Sequence, residues 1–224
     1  MKLSLTVSEY CEYVSAQLNH FFPDKRTVQL NDYRDAIDSA LQRVEFCFKH
    51  IALKHYCQDG EANFNHLYSD QYAMFLWFVA NTIWDKYGYS PLLDKFFGLN
   101  KALHSFECMY NTALPNIFFL GHTVGTVLGK ATYNDFLVVS QGCTIGSHKG
   151  KYPILGKGIG LAVNASILGE CRIGDNVSVG SNTTVFKKDI ARNTTVYTNE
   201  SGVITFRPAE QPYAQNFFNV NLNP

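Results

Sequence analysis

The sequence predicts an α+β chain in which an all-helical N-terminal region precedes a β-helix built of hexapeptide repeats. Two observations carry this. Residues 155–190 divide into six successive hexads, LGKGIG, LAVNAS, ILGECR, IGDNVS, VGSNTT and VFKKDI, each opening on an aliphatic residue: Leu155, Leu161, Ile167, Ile173, Val179 and Val185. Before residue 110, by contrast, apolar residues recur at helical spacing between capping and breaking residues. The boundaries read as a helical domain over 1–113, the repeat domain over 114–199 and an irregular tail over 200–224.

A six-residue period fits neither the 3.6-residue helix nor the two-residue strand. It fits a short strand and a tight turn, repeated, with one aliphatic entering the axis at each step and stacking on its copies in adjacent coils. An ordinary sandwich of alternating strands would need no fixed spacing. The fifth hexad position is small or apolar at Ile159, Ala165, Cys171, Val177 and Thr183, and Asp189 is its exception. The period continues upstream through Ile145, Val139, Tyr133 and Leu128 to His122, with one residue missing between Leu128 and Tyr133. Ile145 and Leu155 stand ten apart, so 146–153 (GSHKGKYP) is a loop pushed out of the coil. A repeat scaffold does not need such a loop for its stability, and loops of this kind often carry function.

In the helical region, Ser8 is a cap candidate for a helix with Tyr10, Val14 and Leu18 on one face, and Pro23-Asp24 breaks it. Asn31 is the cap candidate for a second helix, with Tyr33, Ile37, Leu41 and Val44 in one stripe. Residues 57–68 read as a connector. Ser69 opens an aromatic-rich third helix that ends near Gly88, and Ser90-Pro91 starts a fourth, Pro being well suited to the first helical position. Tyr72, Phe75, Trp77, Phe78 and Trp84 read as helix-packing core, because aromatics dominate buried area.

With 224 residues, 46% of them apolar, the chain can bury one large core or two smaller ones. Nineteen basic residues balance nineteen acidic ones, so nothing points to a nucleic-acid partner or an anionic membrane surface. The first residues lack the apolar segment of a signal peptide, and the apolar run 73–84 is too short to span a bilayer. Six cysteines, widely spaced and without a C-x-x-C, are expected to be reduced thiols of a cytoplasmic protein.

The stretches HTVGTVLGKA, LVVSQGCTIGS and LGKGIGLAVNASILGECRIGDNVSVGSNTTV together resemble the hexapeptide-repeat acyltransferases, most closely the serine acetyltransferase type. The matching motifs are His122 and Gly125, then Gln141, Thr144, Ile145 and Gly146, and the resemblance covers about 114–200. It implies a left-handed parallel β-helix, a homotrimer that helical domains can pair into a hexamer, acetyl-CoA as donor and a small hydroxyl-bearing acceptor.

Position alone leaves His122 open to two readings, a satisfied polar residue at the first coil or a catalytic group; the His-x-x-Gly motif favours the second. A hydroxyl is a poor nucleophile at neutral pH, so acyl transfer from a thioester needs a base, and imidazole suits the task. The implied mechanism is direct attack, with His122 taking the acceptor proton, a backbone N–H stabilising the oxyanion and the proton passing to the leaving thiolate. By the family's spacing, Glu107 is the candidate to orient His122, with Asp135 a weaker rival and a solvent-facing Glu107 the plain alternative. Donor binding, largely through backbone in this family, maps to Gly146, Ser147, Ala162, Asn164, Ala165, Ser181 and Asn182. Lys187 and Lys188 are candidates for the phosphates, or simply a solvated turn.

The departures bear on the acceptor. Serine acetyltransferases carry an Asp directly before the catalytic His, where this chain has Gly121, and an Arg-His-Pro in the protruding loop, where it has Lys151-Tyr152-Pro153. Lys151 can meet a carboxylate as a point charge, and His148 can stand in for the missing histidine or lie exposed. Serine is therefore one expected acceptor. A sugar hydroxyl, as in surface-polysaccharide modification, is the other. A zinc-dependent carbonic anhydrase on the same coil would need three converging histidines, and the repeat half has His122 and His148. A non-catalytic β-helix scaffold would explain the coils but neither the His122 motif nor the loop.

Overall fold

The structure is a computed structural model that describes residues 1–223. The helical region begins with strand β1 (Lys2–Leu3) and helix α1 (Val7–Phe21). The cap of α1 is Thr6, not Ser8. Its hydroxyl accepts from the Glu9 N–H while the Glu9 carboxylate accepts from the Thr6 N–H, a capping box that satisfies two otherwise orphan donors. Helix α2 (Arg34–Lys49) likewise does not start at Asn31: a 3-10 turn over Leu30–Tyr33 leads into it, and no side chain caps it. The connector contains β2 (Cys57–Gln58) and β3 (Glu61–Phe64), which with β1 make a small sheet.

Helix α3 (Ser69–Tyr87) is the centre of this half. Asp70 through Ile83 is buried without interruption, so the helix is enclosed on all sides, which is why its sequence shows little amphipathic contrast. Among the described residues, no helix is long and apolar enough to cross a membrane. The predicted core aromatics Tyr72, Phe75, Trp77 and Phe78 are buried, and Trp84 packs on Tyr110. Arg43 of α2 lies over the Trp77 and Phe78 rings and donates to Asn81 and Thr82. Gly88 ends α3 at positive φ, and α4 (Pro91–His104) follows, packed on α1 and α3; Ser90 precedes it but makes no capping bond.

Residues 118–198 form a three-faced coil of parallel strands, which excludes the sandwich. The first face holds β4 (Phe118–Leu120), with β6 (Leu137–Val139), β9 (Gly160–Leu161), β12 (Ser178–Val179) and β14 (Thr194–Thr198) stacked on it in that order. The second holds β5 (Val127–Leu128), β7 (Thr144–Gly146), β10 (Ser166–Leu168) and β13 (Thr184–Phe186). The third holds β8 (Ile154–Leu155) and β11 (Arg172–Ile173), extended by single bridges at Thr132 and Ile190. All six predicted aliphatics point inward and are at most 3% exposed, as are the fifth-position residues Ile159, Ala165, Cys171, Val177 and Thr183. Asp189 faces out and accepts from the Arg172 N–H, closing a turn between coils.

The tail packs back onto the molecule. β15 (Ile204–Pro208) pairs antiparallel with β14, after which a 3-10 turn (Tyr213–Asn216) crosses the first face, Tyr213 donating its N–H to Ser178 Oγ. Phe217 stacks on Phe119, and Phe218 is buried beside Ile51 of the helical half. Helices and tail thus cover the first face, whose outward residues Phe119, Val138 and Ser178 are buried. On the second face the outward Thr144 and Ser166 are half-buried and Thr184 is exposed.

Candidate functional site

Successive inward residues of the first and second faces are six apart at Val139–Ile145, Leu161–Ile167 and Val179–Val185, but eight apart at Leu120–Leu128. The first coil therefore carries two extra residues at the corner between these faces. His122 sits on this bulge. The expectation that it occupies an inward hexad position is corrected: Leu120 fills that row, and His122 is exposed, with its backbone in the left-handed region (φ 54°). Few non-glycine residues adopt that conformation without an external hold.

Asp70, in the first turn of α3, supplies the hold. The amide of His122 donates to Asp70 Oδ2 at 3.0 Å and that of Thr123 to Oδ1 at 3.4 Å. Asp70 is 7% exposed, and the positive end of its own helix favours a carboxylate there. Thr123 Oγ1 donates to the His104 carbonyl at 3.1 Å, and the Gly125 N–H donates to the Ser105 carbonyl at 3.1 Å, so the end of α4 pins the bulge as well. His104 itself is buried with neither ring nitrogen partnered, and that burial pushes its pKa down to about 4, against the opposing pull of the Asp70 charge. Tyr56 is buried nearby with its hydroxyl unpartnered, its pKa raised by desolvation and, secondarily, by Asp70.

Glu107 makes no hydrogen bond to the His122 ring. It lies in a partial coil above β5, its N–H donating to the Thr126 carbonyl, and its carboxylate pairs with Lys101 at 2.6 Å. Asp135 is also placed elsewhere: it accepts from the Ile117 N–H at the corner between the third and first faces. The His122 ring makes no hydrogen bond to another side chain among the described residues.

The 146–153 loop leaves the coil at the corner between the second and third faces. Its tip is a two-residue hairpin in which His148 and Lys151 exchange both backbone hydrogen bonds. Lys149 and Gly150 both have positive φ, the mark of a type I′ turn, which suits the twist of paired strands. His148 is half-buried, edge-on to the Phe186 ring, with Nδ1 unpartnered. Lys151 pairs with Glu170 at 2.9 Å, and Lys130 lies over the exposed Tyr152 ring. Together with Thr132 and Arg172 these residues line an open cleft of about 340 Å³.

No protein-family model matches the chain. It is 30% identical over 103 residues to a serine acetyltransferase of Synechococcus elongatus, a match covering 44% of this chain and 42% of that protein. It is 32% identical over 83 residues to one of Staphylococcus aureus, covering 35% and 39%. The match thus spans about two-fifths of the length of these curated relatives. The solved serine acetyltransferase of Neisseria gonorrhoeae superposes with a TM-score of 0.70 at 21% identity, over 94% of this chain and 83% of that one. The chain has the serine acetyltransferase fold. The coil is accordingly the left-handed β-helix of hexapeptide repeats, preceded by a helical region as in those structures.

Seen on this fold, the predicted site residues fall in two stripes that flank the second face. Gly121, His122, Ala162, Asn164, Ala165, Ser181 and Asn182 lie along one corner; Gly146, Ser147, His148, Lys151, Tyr152, Lys187 and Lys188 lie along the other. The strands of that face separate the two within one chain.

Several of these residues have work in the coil itself. Ala165 is fully buried; its N–H donates to the Ala162 carbonyl across the turn and its C=O accepts from the Thr144 N–H of the adjacent coil. The Ala162 carbonyl already accepts from Ala165 N–H and Cys143 Sγ. Asn164 and Asn182 stack at positive φ with an amide hydrogen bond of 3.1 Å between them, and Asn176 and Asn193 do the same at a different corner. Left-handed corners favour asparagine wherever they occur. Ser147 and Ser181 are exposed; Lys187 stands over Phe186 and Lys188 over Phe206.

Sequence reasoning missed Asp70 and Thr123. The available signal was the strand Phe118–Leu120 just upstream: setting Leu120 as the inward residue leaves His122 on an insertion. Nothing in sequence ties Asp70, fifty-two residues earlier, to that insertion.

Proposed function

We propose that the chain is an acetyl-CoA-dependent O-acetyltransferase of the serine acetyltransferase type, acting on the hydroxyl of serine or a related small acceptor. The observation that supports it best is the exposed His122, held in a left-handed bulge at a corner of a serine acetyltransferase-type coil. His122 removes the acceptor proton as its oxygen attacks the acetyl carbonyl, a backbone N–H meets the oxyanion, and the proton passes to the departing thiolate. The two stripes of site residues lie at different corners, so a complete site needs the hairpin corner of a neighbouring chain against the His122 corner of this one. That favours a trimer as the working unit, with the incompletely covered second face as its contact.

A serine acetyltransferase of Neisseria gonorrhoeae has been solved in complex with serine, which makes an amino-acid acceptor the first to test. A second reading rests on the hairpin. Lys151 is paired with Glu170, and the exposed Tyr152 ring beside Lys130 and Arg172 offers a stacking surface larger than serine needs. A sugar hydroxyl fits that cleft.

The test is thiol release from acetyl-CoA with L-serine and with a panel of sugars and sugar nucleotides, on wild type and His122→Ala. Wild type turns over at least one acceptor, and His122→Ala loses about 10²–10⁴ in kcat. Turnover on sugars alone assigns the second reading. Absence of turnover on every acceptor, together with no thermal stabilisation by coenzyme A, leaves a scaffold, since only a ligand that binds the native state raises its stability.

A further inference from the structure

We propose that Asp70 is the positioning residue for His122, so that the helical half of the chain sets the geometry of the base carried by the coil half; this rests on the reading of His122 as the base. Burying a carboxylate is costly unless its oxygens are fully used. Both Asp70 oxygens are used on the bulge, one on the His122 N–H and one on the Thr123 N–H. Capping of its own helix does not explain them, because the start of α3 makes no side-chain capping bond.

The bulge needs this hold. Gly121 donates to Val139 in the ladder, and Thr126 donates back to Thr123. Between them, the amides of His122 and Thr123 have no partner strand, because the two inserted residues stand out of register. Without Asp70 these donors would turn to solvent and His122 could leave the left-handed region for a more common backbone conformation. The ring would then swing away from the corner where the acceptor oxygen and thioester must meet. The hydrogen bonds of the Asp70 carboxylate go to backbone amides, so it acts through His122 and binds neither substrate.

The experiment compares wild type, Asp70→Asn, His122→Ala and the double variant. Asp70→Asn keeps the shape and one acceptor but sets an NH₂ against one of the two amides. Steady-state kinetics should show kcat down about 10²-fold, the order that a 1 Å misplacement costs, and both KM values within about threefold. In the His122→Ala background the same change should cost less than about twofold more, because the two act as one unit. Amide hydrogen exchange of segment 121–124 should quicken at least about tenfold while β6 and β7 keep their protection.

Unchanged exchange shows that Asp70 is not the brace. Faster exchange with unchanged kcat refutes the positioning role alone, as does a fully additive loss in the double variant. Full turnover in His122→Ala, or none in wild type, removes the base reading and with it anything for Asp70 to position.

Discussion

His122 and His104 show how differently the fold treats two residues of one type. His122 is exposed on the bulge, whereas His104, at the end of α4, is buried with no partner for either ring nitrogen. Burial disfavours its charged form and brings its pKa to about 4, against an ordinary value of 6.5. Between those values the unfolded chain binds more protons than the folded one. The contribution of neutral His104 is therefore fully present above pH 6.5 and is lost as pH falls toward 4, by about 2.5 kcal/mol at pH 4.5. Urea titrations at pH 7 and 4.5 should show that much more acid destabilisation in wild type than in His104→Leu; equal slopes would mean His104 is not the group that titrates. The faces turned toward His104 also carry Asp70 and Tyr72, and Asp70 is the one whose charge opposes the shift.

At the scale of the element, the coil is specified by what each position must do. The aliphatic rows were legible because stacking asks the same thing of every turn: one inward apolar residue per six. The corners ask for something narrower. Gly174 lies where a Cβ would come within 2.5 Å of the Arg192 amide nitrogen, a backbone atom that cannot step aside. Gly174→Ala should cost about 1–3 kcal/mol of stability in urea unfolding, and a loss below measurement would show that the corner has slack. The loop was legible as an interruption of the period, but its inner form was not. Only pairing of His148 with Lys151 reveals a hairpin, and Lys149 at its tip is a residue type that gives no hint of positive φ.

For the whole molecule, the division of labour among faces decides how chains can meet. The first face is closed by helices and tail, with Phe119 stacked on Phe217. The second remains partly open between the two stripes of candidate residues. Light scattering should give a solution mass about three times the 25.3 kDa of one chain, or a multiple of that where helical regions pair trimers. A monomer at micromolar concentration would leave the two stripes unjoined and undo the shared-site arrangement. The tail contributes to this division, since it occupies a face that would otherwise compete as a contact surface.

The helical region, the hexad coil, its inward rows and the outlying loop follow from sequence alone, because local periodicity and burial are written in neighbouring residues. Helix starts were less legible: Thr6 and Ser8 are equally plausible caps until the Glu9 carboxylate closes the box on one of them. Glu107 pairs with Lys101 and not with His122, because spacing along the chain does not report the direction of a side chain. Where His122 points, what holds it and which corners the site residues share were decided by tertiary structure. The reason is physical: a two-residue bulge has no register of its own, and the carboxylate that gives it one comes from a helix far away in sequence.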